Sequence, residues 1–148
     1  FQSFVDYAHT PDALENVLKS LRQLNPSRII TVFGCGGDRD HSKRPLMAAA
    51  AEQYSDKVIL TSDNPRSEDP LTIMRESEKG LRGTGYESFV DRESAIRRAV
   101  ELAGPNDIVL VAGKGHEDYQ ETATGRHPFN DVSVTARAMA NKEFGEQR

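Results

Sequence analysis

Cysteine is almost absent from this sequence. Cys35 is the only one, so no disulfide can close within the chain and no cage of thiolates can hold zinc; a reducing compartment, the cytoplasm, is expected. Basic charge is not in excess either. Lys and Arg number 19 against 23 Asp and Glu, a net charge of −4, which is the wrong sign for a protein that neutralises nucleic-acid phosphates. Long apolar runs are missing as well. The most apolar stretch, Ile108 to Ala112, is strand-sized, whereas a membrane-spanning helix needs about 20 residues. No signal peptide and no initiator Met open the chain. It starts on Phe1-Gln2-Ser3-Phe4-Val5 with a strand pattern already under way, which reads as a piece of something longer.

Several catalytic signatures are lacking too. No Gly-x-x-x-x-Gly-Lys-[Ser/Thr] occurs, so the chain has no P-loop. His116-Glu117 lacks the second histidine of a helical zinc site and the four histidines are scattered, so no metal is expected on this chain alone. There is no Gly-x-Ser-x-Gly elbow, and Cys35 has no base beside it in the sequence; a buried, structural role is expected for that thiol, and no catalytic residue is expected in this chain.

What is present is an alternation of two periods. Short apolar or β-branched runs at Ser3–Tyr7, Arg28–Phe33, Lys57–Thr61, Tyr86–Val90 and Asp107–Ala112 read as strands. Helical spacing separates them. The first helix has Leu14, Val17, Leu18 and Leu21 on one face, with Thr10 as N-cap and Pro11 at its first position. The second runs from about Pro45 to Tyr54 and the third opens at Asp69-Pro70. A fourth carries Ile96, Ala99, Val100 and Ala103, and a fifth, after Asp131, carries Val132, Ala136, Met139 and Ala140. Strands alternating with helices predict an α/β domain of three layers. Its sheet is mainly parallel, of about five to six strands, with helices on both faces. Tyr119–Asn130 breaks the rhythm: the Thr124-Gly125 turn predicts a small antiparallel hairpin, with a place at the sheet edge as one possibility. No linker or repeat divides residues 1–148, which read as one domain.

Ligands of parallel sheets bind beyond the carboxyl ends of the strands. Four clusters follow predicted strands: Asp6-Tyr7-Ala8-His9-Thr10-Pro11, Gly34-Cys35-Gly36-Gly37-Asp38-Arg39-Asp40, Asp63-Asn64-Pro65-Arg66 and Gly113-Lys114-Gly115-His116-Glu117. Asp91, after the remaining strand, simply caps the next helix. Each cluster alone could be an ordinary turn; four on one edge, with Arg39, Arg66 and Lys114 beside acids and amides, favour a binding edge. Gly34-x-Gly36-x-x-Arg39 fails the dinucleotide fingerprint at its third glycine, although Asp63 could still reach a ribose. Gly113-Lys114-Gly115 fits a ligand loop and a tight turn with an exposed lysine equally well. In Asp63-Asn64-Pro65-Arg66, proline fixes the loop and Arg66 is suited to grip a carboxylate in bidentate fashion. Asp63 and Glu117 can accept from an ammonium group, and Arg39 adds a second anion contact. These residues describe a receptor for a zwitterion such as the amino-acid end of a molecule. The competing explanation is a weak surface salt-bridge network among Asp63, Arg66, Glu68 and Asp69.

Taken in order with Lys43-Arg44-Pro45-Leu46-Met47 and Asp118-Tyr119-Gln120, these motifs closely resemble the C-terminal domain of the Mur ligases, in the branch that adds the third amino acid of the peptidoglycan stem peptide. The resemblance implies a three-domain cytoplasmic enzyme of cell-wall synthesis. Its N-terminal domain binds the UDP-sugar, its central domain carries the P-loop, the magnesium ligands and a carbamylated lysine, and its Rossmann-like C-terminal domain closes over ATP. ATP and Mg2+ would be held mainly by that central domain. ATP would phosphorylate UDP-N-acetylmuramoyl-L-alanyl-D-glutamate, and the amine of meso-diaminopimelate would attack the acyl phosphate. By the same resemblance, Arg39, Asn64 and Arg66 hold carboxylates. The Gly113 carbonyl and the Glu117 carboxylate hold the distal ammonium with Asp63 nearby, and Asp6, Tyr7 and His9 meet ATP. Lysine-adding relatives depart from Asp-Asn-Pro-Arg, and lysine would leave Arg66 without a partner. The alternatives are a lysine-adding homologue, a ligase of the folylpolyglutamate synthase type, and a non-catalytic module that binds an amino acid or nucleotide. The isolated domain should be inactive.

Overall fold

The computed structural model describes residues 1–146. Its elements run β1 (Gln2–Asp6), α1 (Pro11–Arg22), β2 (Ile29–Phe33), α2 (Lys43–Tyr54), β3 (Lys57–Leu60), α3 (Pro70–Glu78), β4 (Glu87–Ser88), α4 (Arg92–Leu102), β5 (Ile108–Ala112), β6 (Tyr119–Thr122), β7 (Gly125–Pro128) and α5 (Asp131–Glu146). Five strands form one sheet in the order β1-β5-β2-β3-β4, and every neighbouring pair is parallel. All residues of β2 and β5 are buried, as expected of central strands covered on both faces. Alternate side chains point to opposite layers. Ile29, Phe33 and Leu110 pack with Leu14, Leu18, Met47, Ala48 and Met74 from α1, α2 and α3. Ile30, Val32, Val109 and Val111 pack with Ala95, Ile96, Ala99 and Val134 from α4 and α5.

The helix starts follow their sequence signals. The Thr10 hydroxyl accepts from Ala13 N–H ahead of Pro11, the Asp69 carboxylate accepts from Leu71 N–H ahead of Pro70, and the Asp91 carboxylate accepts from Ser94 N–H. Each satisfies an otherwise orphaned donor of the first turn.

Three expectations need correction. The predicted strand Tyr86–Val90 pairs as a ladder only at Glu87–Ser88, after which Thr61 and Ser62 hydroxyls donate to the Phe89 and Val90 carbonyls; side chains take over from the backbone ladder. The hairpin is not an edge strand: β6 and β7 pair with each other as a separate two-stranded sheet. On α5, Val132, Ala136 and Ala140 are exposed, and Asp131, Val134, Thr135 and Ala138 are buried. The helix is turned inward by a polar residue, because Asp131 meets the fully buried guanidinium of Arg92 at 2.7 Å.

Candidate functional site

The sheet order places the carboxyl ends of β1, β5, β2 and β3 side by side. The loops that follow them enclose a cleft of about 400 Å³, lined by residues of all four sequence clusters. Glycine makes the close approach of these loops possible. A Cβ on Gly37 would lie 1.8 Å from the Pro65 carbonyl oxygen, and the Gly37 N–H donates to the Asn64 carbonyl at 2.7 Å. Gly113 has φ +118°, and a Cβ there would meet an Asp63 carboxylate oxygen at 2.6 Å. The loop after β2 thus rests on the loop after β3, and the loop after β5 rests on Asp63.

One side of the cleft is acidic around a buried lysine. Lys114 is not an exposed turn residue: its side chain is 0% exposed, with Nζ 3.2 Å from Glu117 and 3.9 Å from Asp63. Its shortest contact is to the Asn64 side-chain oxygen, at 2.8 Å. Burial pushes the Asp63 carboxyl above the usual carboxylate range, while Arg92 and Lys114 pull it back. Arg66 occupies the rim in a left-handed conformation, φ 52°. Its guanidinium donates to the Gly37 carbonyl at 2.9 Å and lies 3.8 Å from Glu121. Arg39 is exposed. The hairpin braces this wall: the Gln120 amide donates to the Asp63 carbonyl at 2.7 Å, and the Arg66 N–H donates to the Glu121 carbonyl at 3.0 Å.

Of the nine candidate residues, Tyr7, His9, Arg39, Asp63, Asn64, Arg66, Gly113 and Glu117 line the cleft and Asp6 does not. The Asp6 carboxylate accepts from the Ala8 N–H at 2.8 Å and so shapes the loop that carries Tyr7 and His9, whose rings meet edge to face at 4.7 Å. The local network among Asp63, Arg66, Glu68 and Asp69 does not form. Glu68 pairs with Arg44 at 2.6 Å, Asp69 caps α3, and Asp63 faces Lys114. Cys35 also lines the cleft; burial pushes its thiol up to about 11, leaving it protonated at neutral pH. Among the described residues no group of three His, Cys, Asp or Glu side chains could hold a metal ion, and no helix is long and apolar enough to cross a membrane.

Two buried arginines went unread in the sequence. Arg44, 1% exposed, donates to Glu68, Glu76 and the Gly36 carbonyl, tying α2 to the β2 and β3 loops. Arg44 holds the Glu68 carboxyl down at about 2. Arg92 donates to both Asp131 oxygens, at 2.8 and 2.7 Å, and to the Ser62 and Ala112 carbonyls, at 3.0 and 3.2 Å. Those carbonyls immediately precede Asp63 and Gly113, so one guanidinium clamps the ends of β3 and β5. The only local hint was the Arg92 position in the first turn of a helix, where a cation is disfavoured.

The chain is similar to known proteins. The family model described as Mur ligase, glutamate ligase domain, matches residues 1–115. A UDP-N-acetylmuramoyl-L-alanyl-D-glutamate–2,6-diaminopimelate ligase of Solibacter usitatus is 56% identical over 141 residues, covering 94% of this chain and 28% of that protein. The protein of the same name from Coxiella burnetii is 55% identical over 139 residues, covering 93% of this chain and 28% of its own length. A solved structure of a ligase so named superimposes with a TM-score of 0.91 at 48% identity, over 95% of this chain and 29% of that one. Escherichia coli FolC in complex with ADP shares the fold alone, with a TM-score of 0.56 at 20% identity over 97% of this chain and 30% of that one. The chain therefore spans 28% of the length of the curated relatives it matches. It belongs to the Mur ligase family and corresponds to that family's glutamate ligase domain.

Proposed function

We propose that this chain is the C-terminal, amino-acid-binding domain of a three-domain, ATP-dependent cytoplasmic ligase that joins meso-diaminopimelate to UDP-N-acetylmuramoyl-L-alanyl-D-glutamate. The observation that carries the reading is the polarity of one cleft: Arg66 stands on the loop after β3 and Glu117 on the loop after β5, with Asn64 and Asp63 in the same lining. Cation and amide donors beside carboxylate acceptors suit the carboxylate and ammonium of one amino-acid end. Lysine carries the ammonium without the carboxylate and would leave Arg66 unmatched in a closed site. The names of the relatives at 55–56% identity agree with diaminopimelate.

In this reading Arg66, Arg39 and the Asn64 amide hold carboxylates, and the Glu117 carboxylate with the Gly113 carbonyl holds the distal ammonium. Tyr7 and His9, beyond the edge strand β1, meet ATP; FolC, part of which shares this fold, was solved in complex with ADP. Phosphoryl transfer from ATP to the D-glutamate carboxylate leaves ADP and an acyl phosphate. The free amine of the bound amino acid attacks that carbonyl, loses its proton, and phosphate departs with the bonding pair. Residues of this chain contribute orientation and charge matching; the P-loop and the magnesium ligands come from the rest of the ligase. The test is phosphate release by the full-length protein with ATP, magnesium and the UDP-muramoyl dipeptide. Turnover with meso-diaminopimelate and not with L-lysine is expected. Turnover with lysine would overturn the assignment of Arg66, and no turnover from a folded protein would overturn the ligase reading.

A further inference from the structure

We propose that Lys114 is a positioning residue that fixes the Asn64 side chain as a hydrogen-bond donor toward the ligand carboxylate, and so helps to set the choice of amino acid; the proposal rests on the ligase reading above. Two glycines with positive φ, Gly113 at +118° and Gly115 at +58°, flank the lysine. Neither tolerates a side chain: a Cβ would lie 2.6 Å from Asp63 on one and 3.0 Å from Tyr7 on the other. The turn they make sends Lys114 under the loops, where its side chain is 0% exposed.

A buried ammonium is expected to seek its closest contact with an acid. Here the shortest contact is with a neutral amide. Nζ donates to Asn64 Oδ1 at 2.8 Å, against 3.2 Å to Glu117 and 3.9 Å to Asp63. The same Oδ1 accepts the Glu121 N–H at 3.0 Å. An amide oxygen has two lone pairs, and both are now used, one by the β5 loop and one by the hairpin. A flipped amide would set its NH2 against an ammonium and a backbone N–H, donors facing donors. Among the described residues the amide nitrogen has a single hydrogen-bond partner, Glu117 Oε1 at 3.5 Å, at the outer limit of a hydrogen bond. It is therefore available to donate into the cleft that Asn64 lines. An ionised carboxylate only accepts. The lysine thus converts a two-faced side chain into a donor matched to the group that distinguishes diaminopimelate from lysine. It does so without touching the ligand.

The test is a double-mutant cycle in the full-length ligase, with Lys114→Met, Asn64→Ala and the combination. KM is measured for diaminopimelate and for ATP, and kcat and melting temperature accompany both. Loss of one charge-assisted or directed donor predicts a KM for diaminopimelate raised about ten- to a hundredfold in each single variant, with the KM for ATP unchanged. The double variant should be no worse than the poorer single one, since the lysine acts through the amide. A folded Lys114→Met enzyme with an unchanged KM for diaminopimelate overturns the proposal. So do losses that multiply in the double variant, because they would mean that Lys114 acts independently of Asn64. Should Lys114→Met fail to fold, Asn64→Asp decides: it offers Lys114 a stronger partner but cannot donate, so its KM for diaminopimelate should rise like that of Asn64→Ala, and an unchanged KM overturns the donor role. A wild-type enzyme that turns over another amino acid overturns the functional reading instead, and the same cycle run on that amino acid still decides the role of Lys114.

Discussion

Replacing Asp131 by Asn should destabilise this chain out of proportion to so small a change. The side chains of Arg92 and Asp131 are both 0% exposed, and they meet through two N–H to carboxylate bonds at 2.8 and 2.7 Å. Asn keeps the shape and one acceptor but leaves the guanidinium charged in a dry interior. Breaking a buried pair on one side costs about 3–5 kcal/mol. For a chain of this size each kcal/mol lowers the melting temperature by roughly 2–4 °C, so a drop of about 6–20 °C is expected. Thermal unfolding followed by far-ultraviolet circular dichroism measures it. A control separates charge from packing: Arg92→Met with Asp131→Leu removes the pair together and should recover part of the loss. Recovery stays partial because the Ser62 and Ala112 carbonyls also lose their donor, at about 1–3 kcal/mol for each acceptor left unpaired. An Asp131→Asn chain that melts within about 2 °C of the wild type would refute the reasoning, since Arg92 would then be hydrated or otherwise compensated.

In the full-length enzyme, Arg66→Ala should raise the KM for diaminopimelate about ten- to a hundredfold and leave the KM for ATP alone; equal losses for both would indicate misfolding or a different role. Glu68 should make stability depend on acid. Arg44 holds its carboxyl at about 2 against an ordinary 4.5, so the stabilisation is complete above the unfolded-state value and disappears as pH falls through the folded one. Denaturant midpoints of wild type and Glu68→Gln should therefore differ near neutrality and converge as pH falls from about 5 toward 2; a gap independent of pH contradicts this. Cys35, with its thiol pushed up to about 11, should be alkylated by iodoacetamide at neutral pH far more slowly in the folded chain than in urea, and equal rates would show it to be accessible.

Local patterns carried most of the architecture. Alternation of strand and helix periods located the parallel sheet, and the Thr10-Pro11 and Asp69-Pro70 pairs marked real helix starts. Eight of the nine candidate residues meet at one cleft because strand ends of a parallel sheet must lie along one edge. What escaped was buried charge. For Lys114 the sequence leaves a ligand loop and an exposed turn equally open, because its partner Asn64 lies 50 positions away, and the apolar stripe on α5 is misplaced because Arg92, 39 positions earlier, selects the helix face. Hydrophobic periodicity assumes that polar residues point outward. Arg44, Arg92 and Lys114 do the opposite, each only because distant oxygens meet it.

The strand order also bears on how the chain folds as it is made. Among the described residues β1 pairs only with β5, Gln2 opposite Ile108, and β5 is the last strand of the sheet to be synthesised. Until residue 112 has left the ribosome, Phe4 and Val5 have no ladder to join and β2 lacks one of its two neighbours. The Arg92 brace waits longer still, for Asp131. A nascent chain cut short before β5 carries unpaired strand edges and bare apolar faces, the features that recruit chaperones and seed aggregation. The strand that supplies Gly113 and Lys114 to the cleft is thus also the one whose arrival closes the sheet.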